Sequence, residues 1–174
     1  MSKINYDLSK IRGVAFDVDG VLSPATIPMA DNGAPIRMAN LKDGYAISRA
    51  NKKGIKLAII SGADAQSIVG RFTLLGLKDI YLSVADKLPV LKQWMRDNDL
   101  NPEEVAYVGD DIPDLQALLY CGLPVAPRDA AVEVKSVAKY ITGVEGGHGV
   151  ARELLEEVLK AQDLWISNNN EYAW

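Results

Sequence analysis

Five aspartates stand where two apolar runs end. The stretch GVAFDVDGVLS, Gly13 to Ser23, carries Asp17 and Asp19 straight after its apolar residues, and EVAYVGDDIPD, from Glu104, carries Asp110, Asp111 and Asp114. Unpaired charge at the edge of a core is costly. Five carboxylates from two loops, offset by Lys87, repel one another unless a cation sits among them. A short-reach, aspartate-rich oxygen site suits Mg2+, which keeps several waters and takes one or two carboxylates together with a substrate phosphate. An EF-hand does not fit, because its glycine is the sixth loop residue and a bidentate Glu the twelfth, whereas here Gly20 is fourth counting from Asp17 and the twelfth is Pro28. A metal holding Asp17 and Asp110 leaves Asp19 for other work. An aspartate can be a covalent nucleophile that accepts a phosphoryl group, and a carboxylate two residues on can protonate a leaving alkoxide and then deprotonate water. Lys87, the Ser61 hydroxyl beside Gly62, and backbone N–H groups would hold and neutralise that phosphoryl group.

These groups cooperate only if the chain brings them together, and the order of elements does so. RGVAFDV reads as a strand, Asp43 to Gly54 as a helix starting on an Asp cap and stopping at a Gly, and IKLAII, Ile55 to Ile60, as a strand buried on both faces. DAQSIVGRFTLLG is a helix and DIYLS a brief strand; DKLPVLKQWMRDNDL is a helix that tolerates Pro89 in its first turn. After the strand EVAYVG come a helix at DIPDLQALLYCG, a strand at LPVA, a helix at AAVEVKSVAK, a strand at YIT and a final helix around VARELLEEVLKAQ. In that helix Val150, Leu154, Leu155, Val158 and Leu159 share one face. Such alternation predicts an α/β fold, a three-layer, doubly wound parallel sheet of Rossmann-like type. Ligands of open parallel sheets bind beyond the carboxyl ends of the strands. Asp17, Asp19, Ser61, Gly62, Lys87, Asp110, Asp111 and Asp114 all fall on that rim. A lone Asp-x-Asp after a strand is as readily a turn or a helix cap; four segments meeting at one rim carry the reading.

One segment breaks the alternation. VLSPATIPMADNGAPIRMANLK, between Gly20 and Asp43, holds the turn signal ADNGA between two runs able to form strands, and predicts a β-hairpin inserted at about 24–40. Its apolar residues Ile27, Met29, Ile36 and Met38 need a partner surface.

The residues resemble a known family. DVDGV, Ser61 at a strand end, Lys87 and GDDIPD are together similar to the four motifs of the haloacid dehalogenase superfamily of phosphatases, and likeness to a capless subgroup extends through NLKDGYAI, VADKL, GLPVAPRDAAVEVKSVAKYIT and GGHGVARELLE, from about Ile11 to Leu164. The gaps where that superfamily inserts cap domains are too short here for one. The resemblance implies Asp17 as nucleophile, Asp19 as general acid/base, Ser61 as phosphate ligand and Lys87 as the neutralising lysine. It implies Mg2+ on Asp17, Asp110 and the backbone carbonyl of Asp19, with Asp111 and Asp114 supporting the metal. It further implies a homotetramer acting on a keto-sugar acid phosphate of lipopolysaccharide precursor synthesis; a related sugar acid phosphate, such as a nine-carbon 9-phosphate, and a non-catalytic, oligomer-building relative are the other readings. Two departures stand out: the second motif reads SGADAQ where Thr-Gly followed closely by Arg is common, and the first continues as DGVLSPA. Arg37, Lys42 or Arg71 would have to replace the missing arginine toward the sugar.

Composition narrows the rest. The 174 residues, 48% of them apolar, suffice for one domain with a proper core. A net charge of −4 with 19 scattered basic residues provides no footprint for nucleic acid or an anionic membrane. The start MSKINYDLSKIRG has no apolar leader region and no run reaches membrane-spanning length, so a cytoplasmic protein is expected. The single cysteine, Cys121, reads as a small buried apolar residue. The loop GGHG, Gly146 to Gly149, presents backbone amides to an anion or simply leads into the last helix. His148 within it reads as exposed rather than catalytic. The tail from about 164 to 174, with Trp165, Tyr172 and Trp174, reads as an interface segment that, with the hairpin, covers the open site. A receiver-like signalling module also gathers aspartates and a lysine at one rim, but it needs its phosphoacceptor on a different strand, where this chain offers only Ser61. Incubation with a generic aryl phosphate should give Mg2+-dependent turnover from a phosphatase and none from a receiver module or a decayed relative.

Overall fold

Six short apolar runs pair edge to edge. The computed structural model describes residues 3–64 and 66–166. Strands β1 (Gly13–Phe16), β2 (Lys56–Ile60), β3 (Asp79–Tyr81), β4 (Val105–Val108), β5 (Leu123–Ala126) and β6 (Tyr140–Ile141) form one sheet ordered β3-β2-β1-β4-β5-β6, with every pair parallel. The chain winds outward from β1 in one direction through β2 and β3, then returns to start β4 on the other side of β1. That reversal opens a crevice at the carboxyl ends of β1 and β4.

Strand side chains alternate between two helical layers, as the pleat requires. Phe16, Ile59, Val108 and Val125 face helices α1 (Leu41–Lys52), α2 (Gln66–Leu74) and α6 (Val150–Ala161). Ala15, Ile60, Tyr107 and Ala126 face α3 (Lys87–Asp97), α4 (Leu115–Tyr120) and α5 (Val132–Val137). The apolar stripe of α6 is wholly buried, Val150, Leu154, Leu155, Val158 and Leu159 included. Full burial of each such side chain contributes about 1.5–3 kcal/mol relative to exposure. Cys121 is buried too, and burial pushes its thiol up to about 12, which leaves it inert at neutral pH. Among the described residues no helix is long and apolar enough to cross a membrane.

Several boundaries differ from expectation. The helix predicted from Asp43 begins at Leu41 on an Asn40 cap, whose side chain accepts the Lys42 and Asp43 amides. The helix predicted from Asp111 starts as a 3-10 turn, Ile112–Asp114, with Pro113 in its first turn. The predicted hairpin keeps its turn, with Ala30 N–H donating to Ala34 O and Gly33 N–H to Ala30 O. Its strands reduce to a single antiparallel bridge, Met29 with Pro35, because Pro28 and Pro35 lack the N–H a ladder needs. The tail reading changes as well. Trp165 is not free for an interface: it is buried in its own subunit, edge-on to Tyr45 with ring centroids 5.8 Å apart and the Arg152 guanidinium 4.7 Å above it. Tyr172 and Trp174 lie outside the described residues.

Asp43, freed from capping its own helix, caps another. Gly149, which opens α6, has no side chain to offer, and Asp43 Oδ1 accepts the Arg152 amide of that helix at 2.6 Å. Its Oδ2 has no hydrogen-bond partner among the described residues. Burial pushes the Asp43 carboxyl up to about 6, against the pull of the Arg152 and Ala151 backbone and the Arg152 charge. A carboxyl that holds its proton more tightly folded than unfolded stabilises the fold most below its unfolded pKa near 3.8 and loses that contribution as pH rises to about 6. Relative to Asp43→Asn, which cannot ionise, the wild type should therefore lose about 2 kcal/mol between pH 4 and pH 6.5. Urea denaturation of both proteins at the two pH values measures this, and parallel pH dependence would refute it.

Candidate active site

The crevice at the reversal is built from strand ends held at one height. Phe16 of β1 pairs with Val108 of β4, and Asp17 N–H continues the ladder to Val108 O at 3.0 Å, so the loops carrying Asp17 and Asp110 leave the sheet side by side. Lys87, the first residue of α3 behind the Asp86 cap, lies buried beneath them. Its Nζ is 2.9 Å from Asp17 Oδ2 and 2.7 Å from Asp114 Oδ1. Burial works against the Lys87 charge, but the two flanking carboxylates outweigh it and hold its pKa above the ordinary lysine range.

Asp114 is fully engaged in this framework. Oδ1 accepts from Lys87 and from the buried Tyr107 hydroxyl at 2.7 Å, and Oδ2 accepts the Asp110 amide at 3.1 Å and the Asp111 amide at 3.4 Å. Burial, then the charge of Asp114, drives the Tyr107 hydroxyl well above its usual range, so it remains a donor. Asp17, Asp110 and Asp114 bring carboxylate oxygens within 4.8 Å of one another. With Asp114 spent on hydrogen bonds, Asp17 and Asp110 are the two with oxygen capacity left for a cation. Burial and then repulsion by its neighbours Asp17 and Asp114 raise Asp110 to about 7, and burial followed by Asp114 raises Asp17 against the pull of Lys87. Two crowded, desolvated carboxylates of this kind fit a divalent oxygen-seeking ion.

The loop between them is tightly packed. Gly20 has φ +80°, and a β-carbon there would lie 1.9 Å from Asp110 Oδ2, so only glycine lets the two loops close. From the far end of the chain, Gly146 presses on the Gly20 carbonyl, where a β-carbon would lie 2.0 Å away. Gly147 N–H donates to Val21 O at 2.8 Å, Gly146 N–H to Asp129 Oδ1 at 2.8 Å and His148 N–H to Glu145 O at 3.0 Å. Of these amides only that of Gly147 ties down the loop carrying Asp17 and Asp19, and all three are engaged within the protein rather than open to an anion. His148 is exposed and turns its Nδ1 back on Gly146 O at 2.8 Å.

The other predicted residues divide. Ser61, buried at the end of β2, and Gly62 line the crevice of ≈ 530 Å³ together with Asp19 and Asp111. Ser61 Oγ accepts the Ala63 amide at 3.2 Å, which leaves its own proton to donate outward. Lys42 is exposed on the first turn of α1, and Arg71 packs against Gly44, where a β-carbon would lie 2.5 Å from its Nη2; neither lines the crevice. Arg37 instead grips Asp19 with Nε to Oδ1 at 2.7 Å and Nη2 to Oδ2 at 2.8 Å. Lys87 is the one cation among the described residues lining the crevice. Tyr107 escaped the sequence reading, as did the bond from Asp43 to the Arg152 amide. A tyrosine inside the otherwise aliphatic strand VAYV was the available sign for the first.

Known proteins share this arrangement of motifs and fold. The haloacid dehalogenase-like hydrolase family matches residues 74–154. The chain is 36% identical over 155 residues to 3-deoxy-D-manno-octulosonate 8-phosphate phosphatase of Yersinia pestis, covering 89% of this chain and 83% of that protein. The chain belongs to the haloacid dehalogenase-like hydrolases. Solved members of this hydrolase family superpose closely. The Moraxella catarrhalis 3-deoxy-D-manno-octulosonate 8-phosphate phosphatase, crystallised with magnesium, phosphate and KDO, matches with a TM-score of 0.87 at 32% identity over 91% of each chain. The cobalt-bound Haemophilus influenzae enzyme matches with a TM-score of 0.88 at 31% identity, over 94% of this chain and 96% of that one.

The buried lysine holds the two carboxylates together. Lys87→Met should leave Asp17 and Asp114 buried without a countercharge and lower unfolding free energy by about 3–5 kcal/mol. Urea denaturation at pH 7.5 with a chelator present measures it; a loss under about 1 kcal/mol would mean that the two carboxylates do not depend on this ion pair.

Proposed function

We propose that the protein is a Mg2+-dependent phosphatase that hydrolyses 3-deoxy-D-manno-octulosonate 8-phosphate to KDO and phosphate, in lipopolysaccharide precursor synthesis. The observation that carries the reading is the Asp17–Lys87–Asp114 ion triad with Asp110 beside it, at the strand ends of a chain whose relatives bear that name. Asp17 attacks phosphorus, its new O–P bond forming as the ester O–P bond breaks. Asp19 passes a proton to the departing sugar oxygen, then takes one from the water that hydrolyses the phosphoaspartate. Lys87 and the Ser61 hydroxyl stabilise the charge on the transferring oxygens. Asp17, Asp110 and the Asp19 backbone carbonyl would hold Mg2+, which would supply further charge neutralisation. Asp111 and Asp114 orient that set, Asp114 through its bonds to the Asp110 and Asp111 amides.

A cytoplasmic homotetramer belongs to the same reading. Met29, Ile36 and Met38 of the 24–40 insertion are 61%, 49% and 47% exposed, an apolar strip beside the crevice that a neighbouring subunit would cover. A nine-carbon keto-sugar acid 9-phosphate is the second candidate substrate, because the missing arginine of SGADAQ removes a contact to the sugar that the resemblance implies. A sugar-acid phosphate panel ranked by kcat/KM decides between them, and preference for a phosphate without a carboxylate would defeat both.

Two substitutions separate the aspartates. Asp17→Asn should abolish turnover, by at least about 10³-fold, while the fold survives. Asp19→Ala should lose about 10²–10⁴-fold in kcat on an alkyl phosphate yet still bind Mg2+ in calorimetry, since it contributes only its backbone to the metal. Metal binding lost in Asp19→Ala and kept in Asp110→Ala would reverse the assignment.

A further inference from the structure

Arg37 is the one basic residue of the 24–40 insertion, and it does not point at open solvent. Its side chain is 8% exposed, and both arms of its guanidinium hold both oxygens of Asp19. Asp19 needs such a hold. Asp17 is locked by Lys87 and by packing, whereas the Asp19 side chain is 40% exposed, and Arg37 is its one salt-bridge partner among the described residues. The next residue fixes where Arg37 can reach. Met38 N–H donates at 3.1 Å to Oγ of the fully buried Ser23, whose own amide bonds Val18 O at 2.9 Å inside the catalytic loop. The returning arm of the insertion is therefore pinned to the loop that carries both aspartates.

Resting on the reading of Asp19 as the proton-transfer group, we infer that Arg37 is a positioning residue that fixes the Asp19 carboxyl through its planar fork, making the insertion part of the proton-transfer machinery rather than of sugar recognition. The fork geometry explains the residue type: a guanidinium fixes the plane of a carboxylate, which a single ammonium contact leaves free to rotate. In the first half-reaction the Asp17–phosphorus bond forms, the ester O–P bond breaks, and the proton moves from Asp19 to the ester oxygen. A misaligned Asp19 slows that step in proportion to how much the leaving oxygen needs the proton.

Leaving-group dependence tests this, because kcat/KM reports only the steps up to departure of the alcohol. Arg37→Met, Arg37→Lys and Ser23→Ala are compared with wild type on 4-nitrophenyl phosphate, whose phenolate leaves without a proton, on ribose 5-phosphate, and on 3-deoxy-D-manno-octulosonate 8-phosphate. In Arg37→Met the ratio of aryl to alkyl kcat/KM should rise by about 10-fold or more, by similar factors for the two sugar phosphates. Arg37→Lys, with charge but no fork, and Ser23→Ala, with Arg37 present but its backbone unpinned, should shift the ratio the same way by less. Equal losses on aryl and alkyl esters in all three variants would overturn the inference, as would a loss confined to the carboxylate-bearing sugar, which would make Arg37 a sugar ligand. If wild type hydrolyses the first two esters but not the third, the substrate assignment fails while the aryl-to-alkyl comparison still decides the role of Arg37.

Discussion

A single ammonium group between two buried carboxylates organises this protein. Lys87 enters from α3, Asp17 from β1 and Asp114 from the turn after β4, and Tyr107 supports Asp114 from within the sheet. Each ion buried alone would be strongly unfavourable, and together they compensate one another only while all these elements keep their register. The helix caps, the strand order and the glycine contacts are therefore conditions for the site as much as for the fold. Net of desolvation, such a triad is a weak source of stability. Its contribution is to place Asp17, the proposed nucleophile, with its charge screened by Lys87 on one side.

The two carboxylates proposed for catalysis, Asp17 and Asp19, stand on different supports. Asp17 rests on the sheet and on Lys87, largely buried at the floor of the crevice. Asp19 stands at the crevice mouth, in contact with an insertion that carries one antiparallel bridge and three backbone hydrogen bonds around its turn. The division suits the roles proposed for them, since a nucleophile works from one fixed position while a proton donor and acceptor must serve a leaving alcohol and then a water. Behind both, Gly146 and Gly147 brace the catalytic loop from the last strand-to-helix connection.

Much of this was legible in the residues. The alternation of apolar runs with capped amphipathic segments specified a parallel three-layer sheet, and strand-terminal Asp17, Ser61 and Asp110 then had to share a rim. Tertiary partners were not legible. Asp43 reads as the cap of its own helix because capping is local in sequence, yet it caps a helix more than a hundred residues away. Trp165 reads as an interface residue because it follows the last helix, but Tyr45 and Arg152 supply it with an intramolecular pocket. Arg37 could be placed near the site from its loop; only the geometry shows that its partner is Asp19. In the insertion, turn chemistry predicted the reversal correctly, while Pro28 and Pro35 withheld the amides that would have made strands.

The cap that Asp43 sets on α6 has a consequence for biosynthesis. A ribosome emits α1 long before α6, and until Arg152 emerges Asp43 has no amide to meet and α1 lacks the largest part of its cover, although β1 and β2 are already there to pack on. β1, at the centre of the sheet, likewise waits for β4 on one of its sides. The first half of the chain must then persist as an incomplete, apolar-faced intermediate through most of translation, and native structure closes in a late step once the final helix arrives. A chain truncated before that helix would be a client for chaperones and proteases rather than a smaller enzyme.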